Sequence, residues 1–154
     1  MNKVIPLVAW LVVLQVASFG MGNITDASID PWYLALTKSS LTPPGYVFGI
    51  VWTILYLLLA ITGWQLWHAG RIVKKAILQK LFGAQLLLNW SWTPLFFYLH
   101  WVGAALACLI AIVVLTTGFL YVAWDRAKQL FGLMLPYWLW VCFASYLNFV
   151  IWCG

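Results

Sequence analysis

The stretch that decides the fold runs from Pro31 to Trp67, PWYLALTKSSLTPPGYVFGIVWTILYLLLAITGWQLW, and joins a polar-aromatic loop to an unbroken apolar run. Pro43 and Pro44 lack a backbone N–H and hold φ near the helical value, so they suit the first turn of a helix, where that donor has no partner in any case. A helix is therefore predicted from about Pro44. No residue from there to Trp67 is charged, and at ~1.5 Å per residue the segment reaches about 36 Å, enough to cross a ~30 Å hydrocarbon core with some tilt. Phe48, Trp52 and Tyr56 recur at i, i+4 and i+8 and so share a face. Tryptophan normally sits at headgroup level, whereas Trp52 lies about 12 Å down this helix. That face either packs on neighbouring helices or lines a flat aromatic pocket.

Working outward, composition agrees with a membrane setting. Of 154 residues, 66% are hydrophobic and 7% charged, and the mean hydropathy is +0.98. A soluble domain carries roughly a quarter charged residues, so most of this chain must be dissolved in lipid. The 12 Trp, 7 Tyr and 9 Phe exceed what two interfacial belts need, and some must face the interior. Cys108, Cys142 and Cys153 fall far apart in apolar runs and read as small hydrophobes, not as a disulfide framework or metal site. The net charge of +5 would suggest nucleic acid in a soluble protein. Here the cations flank apolar runs, and topology accounts for them better.

Upstream, Val4 to Thr25 is uncharged, between Lys3 and Asp26, and reads as a first span. A cleaved signal peptide is the alternative, since Lys3, an apolar core and the small Ala17 and Ser18 fit that pattern too. The loop from Asp26 to Thr42, with Asp30, Trp32, Tyr33 and Lys38, is long and polar enough to serve as a lid. Downstream, Arg71, Lys74, Lys75 and Lys80 make a cationic loop, read as a topology signal or an anionic-lipid site. The uncharged run from Leu81 to Trp124 is about twice the length of one span and must form a hairpin. Its turn belongs near His100 and Gly103, which makes His100 interfacial. Pro94 should kink the third span. Gly103, Ala107 and Ala111 repeat every four residues, a small-residue face for a dimer seam or an intramolecular contact. After Asp125, Arg126 and Lys128 a fifth span completes the chain.

The expected fold is all-α, a single domain over 1–154 with five transmembrane helices at about 4–24, 44–67, 77–99, 101–124 and 129–153. Every one of the eight Lys and Arg residues except Lys38 then falls on the side of the N-terminus. The positive-inside rule puts that side in the cytoplasm, and the first loop and C-terminus outside.

No Asp, Glu, Lys or Arg lies at membrane depth, Lys80 standing at the loop end of the third span, so a relay of charged side chains has nothing to use. No nucleophile with base and orienting acid, phosphate-cradling glycine loop or metal-ligand cluster is evident. What remains is amides and aromatics at matching depth. From the outer end of span three, Trp92 lies roughly 10 Å down, Asn89 roughly 15 Å and Gln85 roughly 21 Å. From the outer end of span five, Asn148 lies about 8 Å down, Ala144 about 14 Å and Trp140 about 20 Å. Gln85, Asn89, Trp92 and Phe96 share one helical face, and so do Tyr137, Trp140, Ala144, Asn148 and Ile151. Amides in lipid need partners, so Asn89 either bonds across helices, contributes to a pocket, or does both.

Three stretches, WYLALTK followed by TPPGYVFGIVWTILY, QLLLNWSWTPLFF, and LPYWLWVCFASYLN, resemble in order the TspO/MBR family of tryptophan-rich sensory proteins and mitochondrial translocator proteins. The resemblance implies a five-helix bundle, usually a homodimer, with a pocket beneath the first loop that takes porphyrins, haem and drug-like aromatic ligands. In some members it implies light-dependent porphyrin breakdown. Carried over by position, the pocket matches Tyr33, Pro44, Phe48, Trp52, Asn89, Trp92, Trp140 and Ala144. Ser39 and Leu41 stand where the family commonly has Pro and Trp, which makes the lid less aromatic. The cholesterol motif of the animal proteins is incomplete here, with Phe149 and Cys153 at the matching positions. The leading expectation is a membrane-embedded binder of porphyrin or haem, a sensor or carrier with no obligatory cofactor, stacking its ligand on Trp52 and Trp140. Light-dependent porphyrin degradation using one of those tryptophans, and passive transport, are the alternatives.

Overall fold

The computed structural model describes residues 4–68, 70, 72, 74–125 and 127–154; Lys3, Arg71 and Arg126, which carry part of the charge asymmetry, lie outside them. The fold is a bundle of five helices, α1 (Val4–Ser28), α2 (Gly45–His68), α3 (Lys75–Thr93), α4 (Val102–Ala123) and α5 (Lys128–Cys153), with no strand among the described residues. All but α3 are long and apolar enough to cross a membrane. α3 is shorter and carries Gln79, Lys80, Gln85 and Asn89.

The first helix outruns the boundary expected from charge. It continues through Asp26 to Ser28, then through a wide turn over Ile29–Tyr33. A carboxylate at headgroup level does not stop a helix, because the backbone satisfies its own hydrogen bonds and water reaches the side chain. Proline does stop it: the residue before proline is driven out of the α region, and Asp30, before Pro31, is extended at φ −113°, ψ 129°. The loop is correspondingly shorter than expected. α2 begins one residue after Pro44, whose carbonyl accepts from Val47 N–H at 3.0 Å.

At Pro94 the α3 hydrogen-bond ladder widens to an i→i+5 turn over Pro94–Tyr98, closed by Leu99 N–H to the Pro94 carbonyl at 2.9 Å. His100, at φ 58°, turns the chain into α4, and Trp101 N–H reaches back to Leu95. The hairpin therefore turns where expected.

Round the bundle the order is α1, α2, α5, α4, α3. Helices successive in the chain run antiparallel and are joined by the pairs Gln15–Thr53, Leu66–Gln79, Leu88–Cys108 and Thr117–Trp138, whereas α1 and α3, which close the ring, run the same way. Lipid tails give helices no hydrophobic reason to associate, so packing and hydrogen bonds must hold them. Accordingly α1 and α2 meet where Gly63 lets the Trp10 indole lie against the backbone; a Cβ there would sit 2.6 Å from the ring. Trp10 also packs on Trp67 and Phe82. Cys108 gives its thiol hydrogen to the Leu88 carbonyl, and all three cysteines are free. Of the small-residue stripe on α4, Gly103 and Ala107 are exposed and Ala111 half-buried, and a Cβ on Gly103 would stand 3.0 Å from Trp152 Nε1 of the same chain.

Candidate functional site

A cavity of about 1010 Å³ occupies the loop end of the bundle, between α1, α2, α3 and α5. Its wall on α2 is the face Phe48, Trp52 and Tyr56, with Pro44 at the top. α3 and the turn after it supply Asn89, Trp92 and Phe96, and α5 supplies Ala144 and Asn148. Tyr33 closes the loop side.

The amides of this wall tie helices together. Tyr56 Oη donates to Asn89 Oδ1 at 2.6 Å, and Asn89 Nδ2 donates to Tyr137 Oη at 3.1 Å, so one residue of α3 joins α2 to α5. Trp92 Nε1 donates to Asn148 Oδ1 at 3.2 Å, and Asn148 Nδ2 donates to the Val102 carbonyl at 3.0 Å, linking α3, α5 and α4. An amide nitrogen carries two hydrogens, so Asn89 uses one on Tyr137 and keeps one.

The loop is held down by its own chemistry. Lys38 Nζ donates to the carbonyls of Tyr33, Leu34 and Leu36 at 2.9, 3.1 and 3.0 Å and lies 5.0 Å above the Tyr33 ring. Trp32 stacks on His100 at 3.9 Å and meets Phe96 edge-on, while Tyr33 packs on Phe97 at 5.6 Å. Ser39 Oγ lies 3.1 Å from Tyr146 Oη of α5.

Two residues singled out from the sequence lie elsewhere. Gln85, one turn deeper than Asn89, is fully buried, and neither its Oε1 nor its Nε2 has a hydrogen-bond partner among the described residues. Trp140 is absent from the cavity wall. It sits behind Phe48, edge-on at 5.7 Å, in a separate depression of about 390 Å³ on the outer α2–α5 surface with Pro136 and Phe143. Conversely, the sequence reading passed over α1, which contributes Gln15, Ser18, Gly22, Thr25 and Asp26. The signal was available: polar or small residues at i, i+3, i+7, i+10 and i+11 form one face of an otherwise apolar span.

The sequence pattern that defines the TspO/MBR family matches residues 8–153. The chain belongs to the TspO/MBR family. It is 34% identical to the tryptophan-rich protein TspO of Archaeoglobus fulgidus over 152 residues, which span 97% of this chain and 96% of that protein. It is 36% identical to the translocator protein of Homo sapiens over 127 residues, 79% of this chain and 73% of the human one. Protein CrtK of Rhodobacter capsulatus is 33% identical over 132 residues, with 83% and 82% covered. Family membership and four membrane-length apolar helices make this TspO/MBR protein an integral membrane protein.

Proposed function

We propose that this TspO/MBR protein binds a tetrapyrrole, a porphyrin or haem, within the membrane, as a sensor or carrier, and takes flat aromatic drug-like molecules at the same site. One observation carries the reading: a cavity of about 1010 Å³, at the upper end of the ~300–1,000 Å³ common for ligand sites, is walled by Phe48, Trp52, Trp92 and Phe96 and holds the spare amide hydrogen of Asn89. Broad aromatic faces with one or two hydrogen bonds suit a large flat ring. Titration of the purified protein with protoporphyrin IX, followed by tryptophan quenching, tests it. Trp52→Ala should weaken binding by about 1 kcal/mol beyond lost area, roughly fivefold in Kd. Trp140→Ala, acting only through Phe48, should weaken it less. Unchanged affinity in Trp52→Ala would move the site elsewhere.

A second reading is breakdown of bound protoporphyrin under light. Its support is an oxidisable indole in the cavity wall, Trp52, whose ring lies 5.9 Å from that of Tyr56. Loss of the porphyrin absorption band under illumination, with a distinct product and dependence on Trp52, would indicate catalysis; retention of the band would indicate binding alone.

Two further assignments accompany this. The protein is a homodimer whose contact includes the outward face of α4 at Ala107 and Ala111. Its orientation puts the end bearing Lys74, Lys75, Lys80 and Lys128 in the cytoplasm, and the Lys38 loop outside.

A further inference from the structure

We propose that the cavity is entered from the bilayer, through a gap between the outer halves of α1 and α2, by an amphipathic ligand already dissolved in lipid. This rests on the cavity being the ligand site. The two helices are locked at their deep end, where Trp10 lies on Gly63 and Gln15 Nε2 donates to the Thr53 carbonyl at 3.3 Å. Above that bond they part. A Cβ added to Gly22, Gly45 or Gly49 would meet nothing within 4 Å, although all three glycines line the cavity. Phe19 of α1 and Tyr46 of α2, also in the cavity wall, are 73% and 72% exposed. Side chains that belong to the cavity and to the outer surface together mark an opening. From Gln15 to Thr25 that opening runs about 15 Å along α1, within membrane-spanning helix and not above it.

The chemistry of its edge says what passes. Gln15 and Ser18 lie within an apolar span, where a polar group facing hydrocarbon is unfavourable and is normally found against a cavity. Asp26, at the top of the same face, is exposed. The far wall is aromatic. A ligand that suits both is a flat apolar ring with polar substituents, carried in the headgroup region and sliding in ring first. The loop, by contrast, is fastened at Trp32–His100 and Ser39–Tyr146, and a Cβ on Gly154 would lie 2.9 Å from Thr37 Cβ.

The test follows protoporphyrin IX exchange in proteoliposomes by tryptophan quenching, with the porphyrin preloaded in the lipid. Gly49→Phe and, from the opposite wall, Gly22→Phe put bulk where space is open. Each should slow association tenfold or more and slow release of bound porphyrin as well, because a blocked passage hinders both directions. Faster release with weaker binding would mean that the new ring merely fills the cavity, and would overturn the portal. The loop is locked separately by a disulfide between Thr37→Cys and Gly154→Cys, with Cys153→Ser; the two Cβ positions, 2.9 Å apart, need the chain end at Gly154 to move out by under about 1 Å to reach the roughly 3.5–4.5 Å such a bond spans. Oxidised and reduced forms should exchange porphyrin at rates within twofold. If oxidation halts exchange while both phenylalanine variants exchange normally, entry is through the loop and the portal is wrong. Failure of the unaltered protein to bind protoporphyrin IX saturably would instead refute the ligand site itself, and the portal with it.

Discussion

Asn89 shows how one side chain serves packing and site together. Its oxygen takes the Tyr56 proton and its nitrogen gives one to Tyr137, so three helices meet at a residue only 5% exposed. Removing it strands two buried hydroxyls, which costs about 1–3 kcal/mol each in water-soluble proteins. In membranes such pairs average nearer ~0.6 kcal/mol, because the reference state finds partners too. Asn89→Leu, of similar volume, should therefore destabilise the bundle by about 1 kcal/mol, lowering the thermal midpoint in detergent by roughly 2–4 °C. An unchanged midpoint would show that these bonds hold nothing together. Tyr56→Phe removes one bond of the pair and should have the smaller effect.

At the level of helices, the α1–α2 pair depends on a missing side chain. A Cβ on Gly63 would lie 2.6–2.9 Å from three atoms of the Trp10 ring, closer than any real contact, and the indole is wedged against Trp67 and Phe82. Overpacking of this kind costs about 1–3 kcal/mol. Gly63→Ala should lower the thermal midpoint, and Trp10→Leu in the same chain should recover much of the loss. Gly83 on α3 has open space around its Cβ position, so Gly83→Ala should be neutral or stabilising by up to about 1 kcal/mol through helix propensity. Equal destabilisation by both alanines would mean that α1 and α2 do not approach closely at Gly63.

The assembly and its orientation belong to the molecule as a whole. Ala107 is exposed on α4, and close helix approach at small residues is how membrane helices gain packing contacts. Ala107→Leu should shift detergent-solubilised protein from dimer to monomer while porphyrin binding persists, since the cavity draws on α1, α2, α3 and α5. Loss of binding with the dimer intact would put that face of α4 inside the bundle. The described cations other than Lys38 stand at the end where α3 and α5 begin. A reporter fused after Gly154 should accordingly show periplasmic phosphatase activity; cytoplasmic fluorescence without it would reverse the orientation.

The sequence by itself determined a bundle of five helices, four of them long and apolar enough to cross a membrane, because uncharged length is measured directly against bilayer thickness. It also placed the proline start of α2, the hairpin turn at His100 and the aromatic face of α2, since proline geometry and helical period act locally. The end of α1 was misread from Asp26, when the operative signal was Pro31 acting on Asp30. Only the tertiary structure decided which faces meet. Trp52 and Trp140 both lie within spans, yet one lines the cavity and the other an outer depression, and the polar face of α1 became a cavity wall only by standing beside α2. The reason is physical: helices in lipid are apolar all round, so hydrophobic patterning cannot tell the bundle interior from the bilayer. Depth and period follow from one helix alone, whereas the rotation of each helix is set by contacts such as Trp10 on Gly63 and Asn89 between two tyrosines, each made by residues far apart in the chain.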